Sequence, residues 1–174
     1  MPVRDVVLYP DERLRSPSAA VTDFDEDLSR LVEDLVDTMV AHGALGLSAP
    51  QVGDGRAALV FRPSVDAEPA VFVNPQIVGR STFGFVEESC LSVPGIVGSV
   101  VRATRVRVRA RDVSGAPIER SLEGMAAVCL QHEADHLEGR LFFDRFSPLG
   151  RMRARARLRR ALAASPAREA APPA

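Results

Sequence analysis

Leu28, Leu31, Val32, Leu35, Val36, Met39 and Val40 recur at the three- and four-residue spacing of one helix face, with charged residues between them, up to Gly43. The spacing predicts an amphipathic helix whose apolar stripe is core. Thr22 followed by Asp25 resembles a capping box at its start. A second helical pattern covers 124–141, where Met125, Val128, Cys129, Leu130 and Leu137 are apolar, no proline intervenes and Gly139 marks the end. A third starts at Ser147-Pro148, an N-cap followed by a first-turn proline, and runs over about 147–163 with Leu149, Met152, Leu158 and Leu162 as its packing residues. Between the first two helices lie strand candidates AALVF, AVFVN and FGFV, and the alternating Arg105-Val106-Arg107-Val108-Arg109, which reads as a half-buried strand with its arginines in water.

Strands set between helices imply an α+β fold. The 174 residues suffice for one core, and no repeat or linker divides them, so residues 1–164 are expected to form a single domain and SPAREAAPPA, 165–174, a disordered tail. No apolar stretch is long enough to span a bilayer, and the charges in MPVRDVVLYPDERLR exclude a signal peptide. A cytoplasmic location is the expectation, with no membrane partner. The two cysteines fit a reducing compartment better than a disulfide.

The net charge of −1 hides an asymmetry. Residues 1–40 carry ten acidic side chains against four arginines, whereas 141–174 carry eight arginines against Asp144 and Glu169. Six of those arginines fall in RMRARARLRR, 151–160. That stretch reads either as a solvated helix face or as a contact for RNA or the ribosome. Nothing in the chain suggests DNA binding.

The chemistry concentrates in 131–139, QHEADHLEG, where His132, Glu133 and His136 form HExxH. Helical residues four apart share a face, so both imidazoles can reach one ion, while Glu133 is turned aside and can reach a water instead. A buried helix carrying two histidines, two glutamates and an aspartate is costly unless those groups are paired or metal-bound. Two ligands do not hold a catalytic metal, so a third comes from elsewhere. His42, just before Gly43, reads as a helix-terminal residue. Cys129, one turn before His132, reads as a small core residue, and Cys90 lies in EESCLSVPG between a strand and a proline turn. Spacing does not choose between the two cysteines.

Three ordered stretches resemble the signature motifs of the peptide deformylases: AHGALGLSAPQVG ending in Gln51, Glu88-Ser89-Cys90-Leu91-Ser92, and QHEADHLEG. The similarity extends to LYPDERLR, VFVNPQI and LFFDR, and covers roughly residues 3–150. It implies short antiparallel or mixed sheets wrapped around a central HExxH helix, with an N-terminal helix and a basic C-terminal helix. It implies Cys90, His132 and His136 as ligands of one divalent ion, Fe2+ first, with Zn2+, Ni2+ or Co2+ able to occupy such a site. Glu133 would move the proton, while the Gln51 amide and the Leu91 N–H would stabilise the oxyanion. Leu45, Val86, Met125, Val128 and Cys129 would form the pocket for a methionine side chain, with Gly46, Glu88 and Ser89 as further substrate contacts. A buried Glu88–Arg102 pair would brace the Cys90 strand, and Asp135 would support either the site or its helix.

The activity implied is hydrolytic removal of the N-formyl group from formyl-methionyl peptides or nascent chains. An enzyme of the same kind acting on another N-formyl compound is the nearest alternative. A zincin-like peptidase usually takes a distal third ligand after HExxH, and no histidine follows His136. A non-catalytic relative would have no need of Glu133 and Gln51. The departures from the family pattern are Ala44 and Ser89 for glycines, Ser48 for an alanine, and Val97 for an arginine in many relatives. Ala44 and Ser89 are expected to crowd or reorient the bound peptide.

Overall fold

Asp25 accepts from Leu28 N at 3.0 Å and starts α1 (Glu26–Ala41). The cap is therefore Asp25 and not Thr22, whose hydroxyl instead bonds Asp23. A computed structural model describes residues 3–164 of the chain, and the stretch 165–174 expected to be a disordered tail lies outside them. Leu28, Leu31, Leu35 and Met39 of α1 are buried against Leu47, Ala58 and Val60. Each such side chain contributes roughly 1.5–3 kcal/mol, while an exposed pair such as Arg30–Glu26 contributes about 0.3–0.5 kcal/mol. The apolar stripe therefore fixes the helix.

The strands are β1 (Gly46–Ser48), β2 (Ala58–Phe61), β3 (Ala70–Glu88), β4 (Gly98–Arg111) and β5 (Pro117–Glu123). They form one antiparallel sheet in the order β1-β2-β3-β4-β5. The α+β reading holds, but the several short or mixed sheets become a single antiparallel meander. Parallel pairing among the described residues is an isolated bridge, Ala19 to Arg56. AVFVN and FGFV belong to one 19-residue strand, β3, whose register against β4 shifts between Val73 and Gln76 and again between Ile77 and Gly79. Asn74-Pro75 looks like a strand end in sequence. Asn74 tolerates its positive φ of 52° there, and its side-chain amide bonds both Val21 N and Val21 O at 2.8 Å.

The arginine–valine alternation of β4 is as expected, with Val106 and Val108 buried and Arg105, Arg107 and Arg109 exposed. β5 gave no hydrophobic signal because its outward residues are charged. It pairs with β4 from Arg105 to Arg111, and Glu119 accepts from Arg109 at 2.8 Å.

The HExxH segment is α2 (Gly124–Leu137), packed against the sheet, where Ala127 and Leu130 meet Leu59, Phe61, Val106 and Val108. Gln131 ties α2 to β4: its Oε1 accepts from Ala103 N at 3.2 Å and its Nε2 donates to Ala103 O at 2.7 Å. The helix stops before Gly139, whose φ is 70° and where a Cβ would strike the carbonyl of Arg15.

α3 (Pro148–Ala164) begins as expected, with Ser147 Oγ accepting from Gly150 N at 3.2 Å. Its packing differs from expectation. Leu158 is buried together with Ala154, while Leu149, Met152 and Leu162 are about half exposed. Its buried apolar contact with the body is the narrow 154/158 stripe, at the cluster built on Phe142 and Phe143, while Arg151 and Arg155 reach Asp144. No described helix is long and apolar enough to cross a membrane.

Candidate metal centre and active site

α2 presents His132 and His136 on one face, and the turn after β3 brings Cys90 to them. Ligand atoms of these three residues lie within 4.8 Å of one another, with Cys90 Sγ 3.3 Å from His136 Nε2. Cys129, left open by spacing, is not part of the group. It is buried where the core meets the adjoining cavity, and burial first and the Glu133 and Glu88 charges next push its thiol up to about 12.

His132 is held from behind. Its Nδ1 is 2.8 Å from Glu88 Oε2, and Phe142 lies against its ring, 5.9 Å between centroids. Glu88 takes two bonds from Arg102, Nε to Oε1 at 2.6 Å and Nη2 to Oε2 at 2.9 Å. The expected Glu88–Arg102 pair is therefore present, and the Glu88 carboxylate faces Arg102 and His132, although the residue also borders the adjoining cavity. Burial works against its charge, but the Arg102 and His132 bonds outweigh burial and hold Glu88 at about 2. Asp135 accepts from Arg102 Nη1 at 2.6 Å and from Arg145, so it supports both the site and the segment after α2.

The donor set suits a divalent cation. Burial pulls the pKa of His132 down, yet the bonds to Cys90 and Glu88 outweigh it and raise it well above the ordinary imidazole value. His136 is lowered well below that value, by burial first and then by the charges of His132 and Arg102. A sulfur and two imidazoles converge within reach of one ion, and the depressed His136 ring keeps a nitrogen lone pair free for it, the donor chemistry of a tetrahedral Cys–His–His site.

Glu133 is buried beside this cluster, and burial is the main cause of its pKa rising to about 7. Its Oε2 has no hydrogen-bond partner among the described residues. Gly46 makes room for it: a Cβ there would collide with the Glu133 carboxylate. Gln51, on the 3-10 turn Ala49–Val52, points its Nε2 toward Ser92 Oγ at 3.2 Å and Cys90 Sγ at 3.6 Å. The amide is fixed from the other end, where Oε1 accepts from Ser48 N at 2.9 Å and Ser48 Oγ at 2.8 Å.

A cavity of about 470 Å³ opens onto Gln51, Cys90, Leu91, His132 and Glu133, and all eight residues expected around the substrate line it. Ala44 and Ser89 line it too, whereas Val97 is exposed and outside the lining. His42 caps α1, with its N–H donating to Thr38 O, and reaches the cavity rim without joining the metal group. Sequence reasoning named Ser48 only as a departure and gave no role to Ser92 or Arg145. The spacing of Ser48 to Gln51, that of an N-cap to its third residue, was the available signal.

Residues 3–152 match the family model described as polypeptide deformylase. The chain belongs to that family. Peptide deformylases of Alkalilimnicola ehrlichii and Tolumonas auensis are 42% and 41% identical to it, each match covering 91% of this chain and 90% and 95% of the relative. Among solved structures, a peptide deformylase from Legionella pneumophila superposes with a TM-score of 0.86 at 45% identity, over 95% of this chain and all of that one. One from Ehrlichia chaffeensis gives 0.86 at 33% identity, over 93% and 98%. As a deformylase the chain is a metal-dependent hydrolase.

Proposed function

We propose that residues 1–164 act as one catalytic domain that removes the formyl group from formyl-methionyl peptides and nascent chains in the cytoplasm, with Cys90, His132 and His136 holding the metal. The observation that carries this reading is the convergence of those three donors, Glu133 and Gln51 on one apolar cavity. Fe2+ is the first candidate ion, and the same donors accept Zn2+, Ni2+ or Co2+. When bound, the ion supplies Lewis acidity that makes water a nucleophile near neutral pH.

The chain's own residues do the rest. Val86, Val128 and Cys129 receive the methionine side chain, and Met125 at the rim adapts to it. Glu133 takes a proton from the attacking water, which its pKa near 7 allows at working pH. As water oxygen bonds the formyl carbon, the carbonyl oxygen becomes an anion that accepts from Gln51 Nε2 and Leu91 N–H. The C–N bond then breaks, Glu133 returns its proton to the leaving amine, and formate and a free N-terminus result.

Formate release from formyl-Met-Ala-Ser by anaerobically iron-loaded protein tests the reading. Turnover that Glu133→Ala abolishes with metal still bound supports it, and no turnover by a fully metallated sample overturns it. For the partner, the exposed arginines of 151–160 support a ribosome contact. Replacing Arg153, Arg157 and Arg159 by Gln is then expected to weaken ribosome binding and flatten its salt dependence without changing tripeptide turnover.

A further inference from the structure

A chain of charged side chains runs from the back of His132 to the surface. Glu88 Oε2 meets His132 Nδ1, Arg102 joins Glu88 to Asp135, and Arg145 closes on Asp135. The first three are buried, Arg102 to within 1% of full exclusion from solvent, whereas the Arg145 side chain is 36% exposed. The four charges alternate in sign and cancel. We propose that Arg145 is a positioning residue for the metal centre, setting the orientation of His132 through Asp135, Arg102 and Glu88. The proposal rests on the reading of His132 as a metal ligand.

The bond pattern carries the argument. Arg102 has three bonded nitrogens, two on Glu88 and one on Asp135. Asp135 has both oxygens occupied by Arg145, Nε on Oδ2 at 2.6 Å and Nη2 on Oδ1, and shares Oδ2 with Arg102. With Arg145 gone, a buried carboxylate keeps a single charged partner, and the shortest way to satisfy it is to draw Arg102 toward Asp135. Arg102 Nη2 and His132 Nδ1 share Glu88 Oε2, so that movement loosens the group that fixes the ring.

Arg145 is itself well placed to hold. It ends the 3-10 turn Phe142–Arg145, which Asp144 staples by accepting from Leu141 N at 2.9 Å and by pairing with Arg15. The neighbouring Arg140 offers a control, because its side chain bonds the exposed Glu138 at 2.9 Å.

The test titrates metal-free protein with Co2+ and follows its visible absorption, with melting temperature recorded alongside. Arg145→Gln is expected to weaken Co2+ affinity by about three- to tenfold and to alter the absorption envelope, near the lower end of what removing an outer partner of a metal ligand costs. Arg145→Lys is expected to recover part of the affinity, since an ammonium restores the charge but not the forked geometry. Arg140→Gln is expected to match wild type. If Arg145→Gln lowers the melting temperature but leaves affinity and spectrum unchanged, Arg145 is only structural and the proposal fails. If His132→Ala also leaves the spectrum unchanged, the ligand reading fails and takes the proposal with it.

Discussion

Glu88 Oε2 sits 2.8 Å from His132 Nδ1 and 2.9 Å from Arg102 Nη2, so one oxygen serves both the His132 ring and a buried guanidinium. Glu88→Gln keeps the shape and removes the charge. It leaves Arg102, which is almost wholly buried, without its main counter-ion. Breaking such a pair costs about 3–5 kcal/mol, and the freed His132 lowers metal affinity by roughly 10–100-fold. Denaturant melts and competition with a chelating dye measure the two effects. Full metal affinity in a destabilised Glu88→Gln protein would show that the contact braces the fold and not the ring.

Glu133 gives a stability profile with a definite sign. Its folded pKa of about 7 lies above its ordinary 4.5, so the folded protein holds the extra proton between those values. Its stabilising contribution is complete below pH 4.5 and is lost as pH rises through 7, a change on the order of 3 kcal/mol. Glu88 works the other way, losing its contribution as pH falls from about 4.5 through about 2. Through Glu133 the metal-free protein loses stability between pH 5 and pH 8, with His132 adding to that loss and His136 opposing it, and Glu133→Gln is expected to shrink the drop in melting temperature across that range.

Ser48→Ala deletes the hydroxyl that bonds Gln51 Oε1 while leaving the Ser48 backbone bond in place. One such bond is worth about 0.5–1.5 kcal/mol. If it holds the amide ready for the oxyanion, the loss falls on kcat, roughly two- to tenfold, with KM unchanged. Steady-state kinetics on formyl-Met-Ala-Ser decides this. A change confined to KM would place Ser48 among groups that bind ground-state substrate.

The three helices and the His132–His136 pair were legible because their signals are local, whereas Cys90 and Gln51 entered only through the family motifs. The α1 stripe repeats within single turns, and HExxH places its own groups on one face. The joining of AVFVN to FGFV was hidden by Asn74-Pro75, whose meaning depends on Val21, 53 residues away. β5 was hidden because Ile118 and Leu122, which pack on the core, stand alone among charged and small residues in a seven-residue strand. Asp135 was ambiguous for a similar reason: its partners, Arg102 and Arg145, come from a strand and a turn that no helical spacing connects to it.

The packing of α3 rests on one leucine, so two substitutions on the same helix should behave differently. Leu158 is buried beside Ala154, and Leu158→Ala is expected to cost about 2–4 kcal/mol. Leu162 is 45% exposed, and Leu162→Ala is expected to stay within about 0.5 kcal/mol. Equal losses in urea melts would mean that α3 presses its far end against the body.

Gly46 supplies the sharpest test of Glu133. It lies on β1, which packs directly against α2 at the cavity wall, and a methyl group there would overlap the Glu133 carboxylate and its Cγ. β1 is paired to β2 from Gly46 to Ser48 and has little freedom to retreat, so the side chain of Glu133 must rotate away. Gly46→Ala is therefore expected to lower kcat by about 100-fold or more, within the range of losing a general acid–base. Cys90, His132 and His136, the proposed ligands, are untouched, so metal content measured by atomic absorption should stay at one ion per chain. Loss of metal together with activity would instead mean that the collision reaches His132, and that β1 shapes the metal site as well as the base.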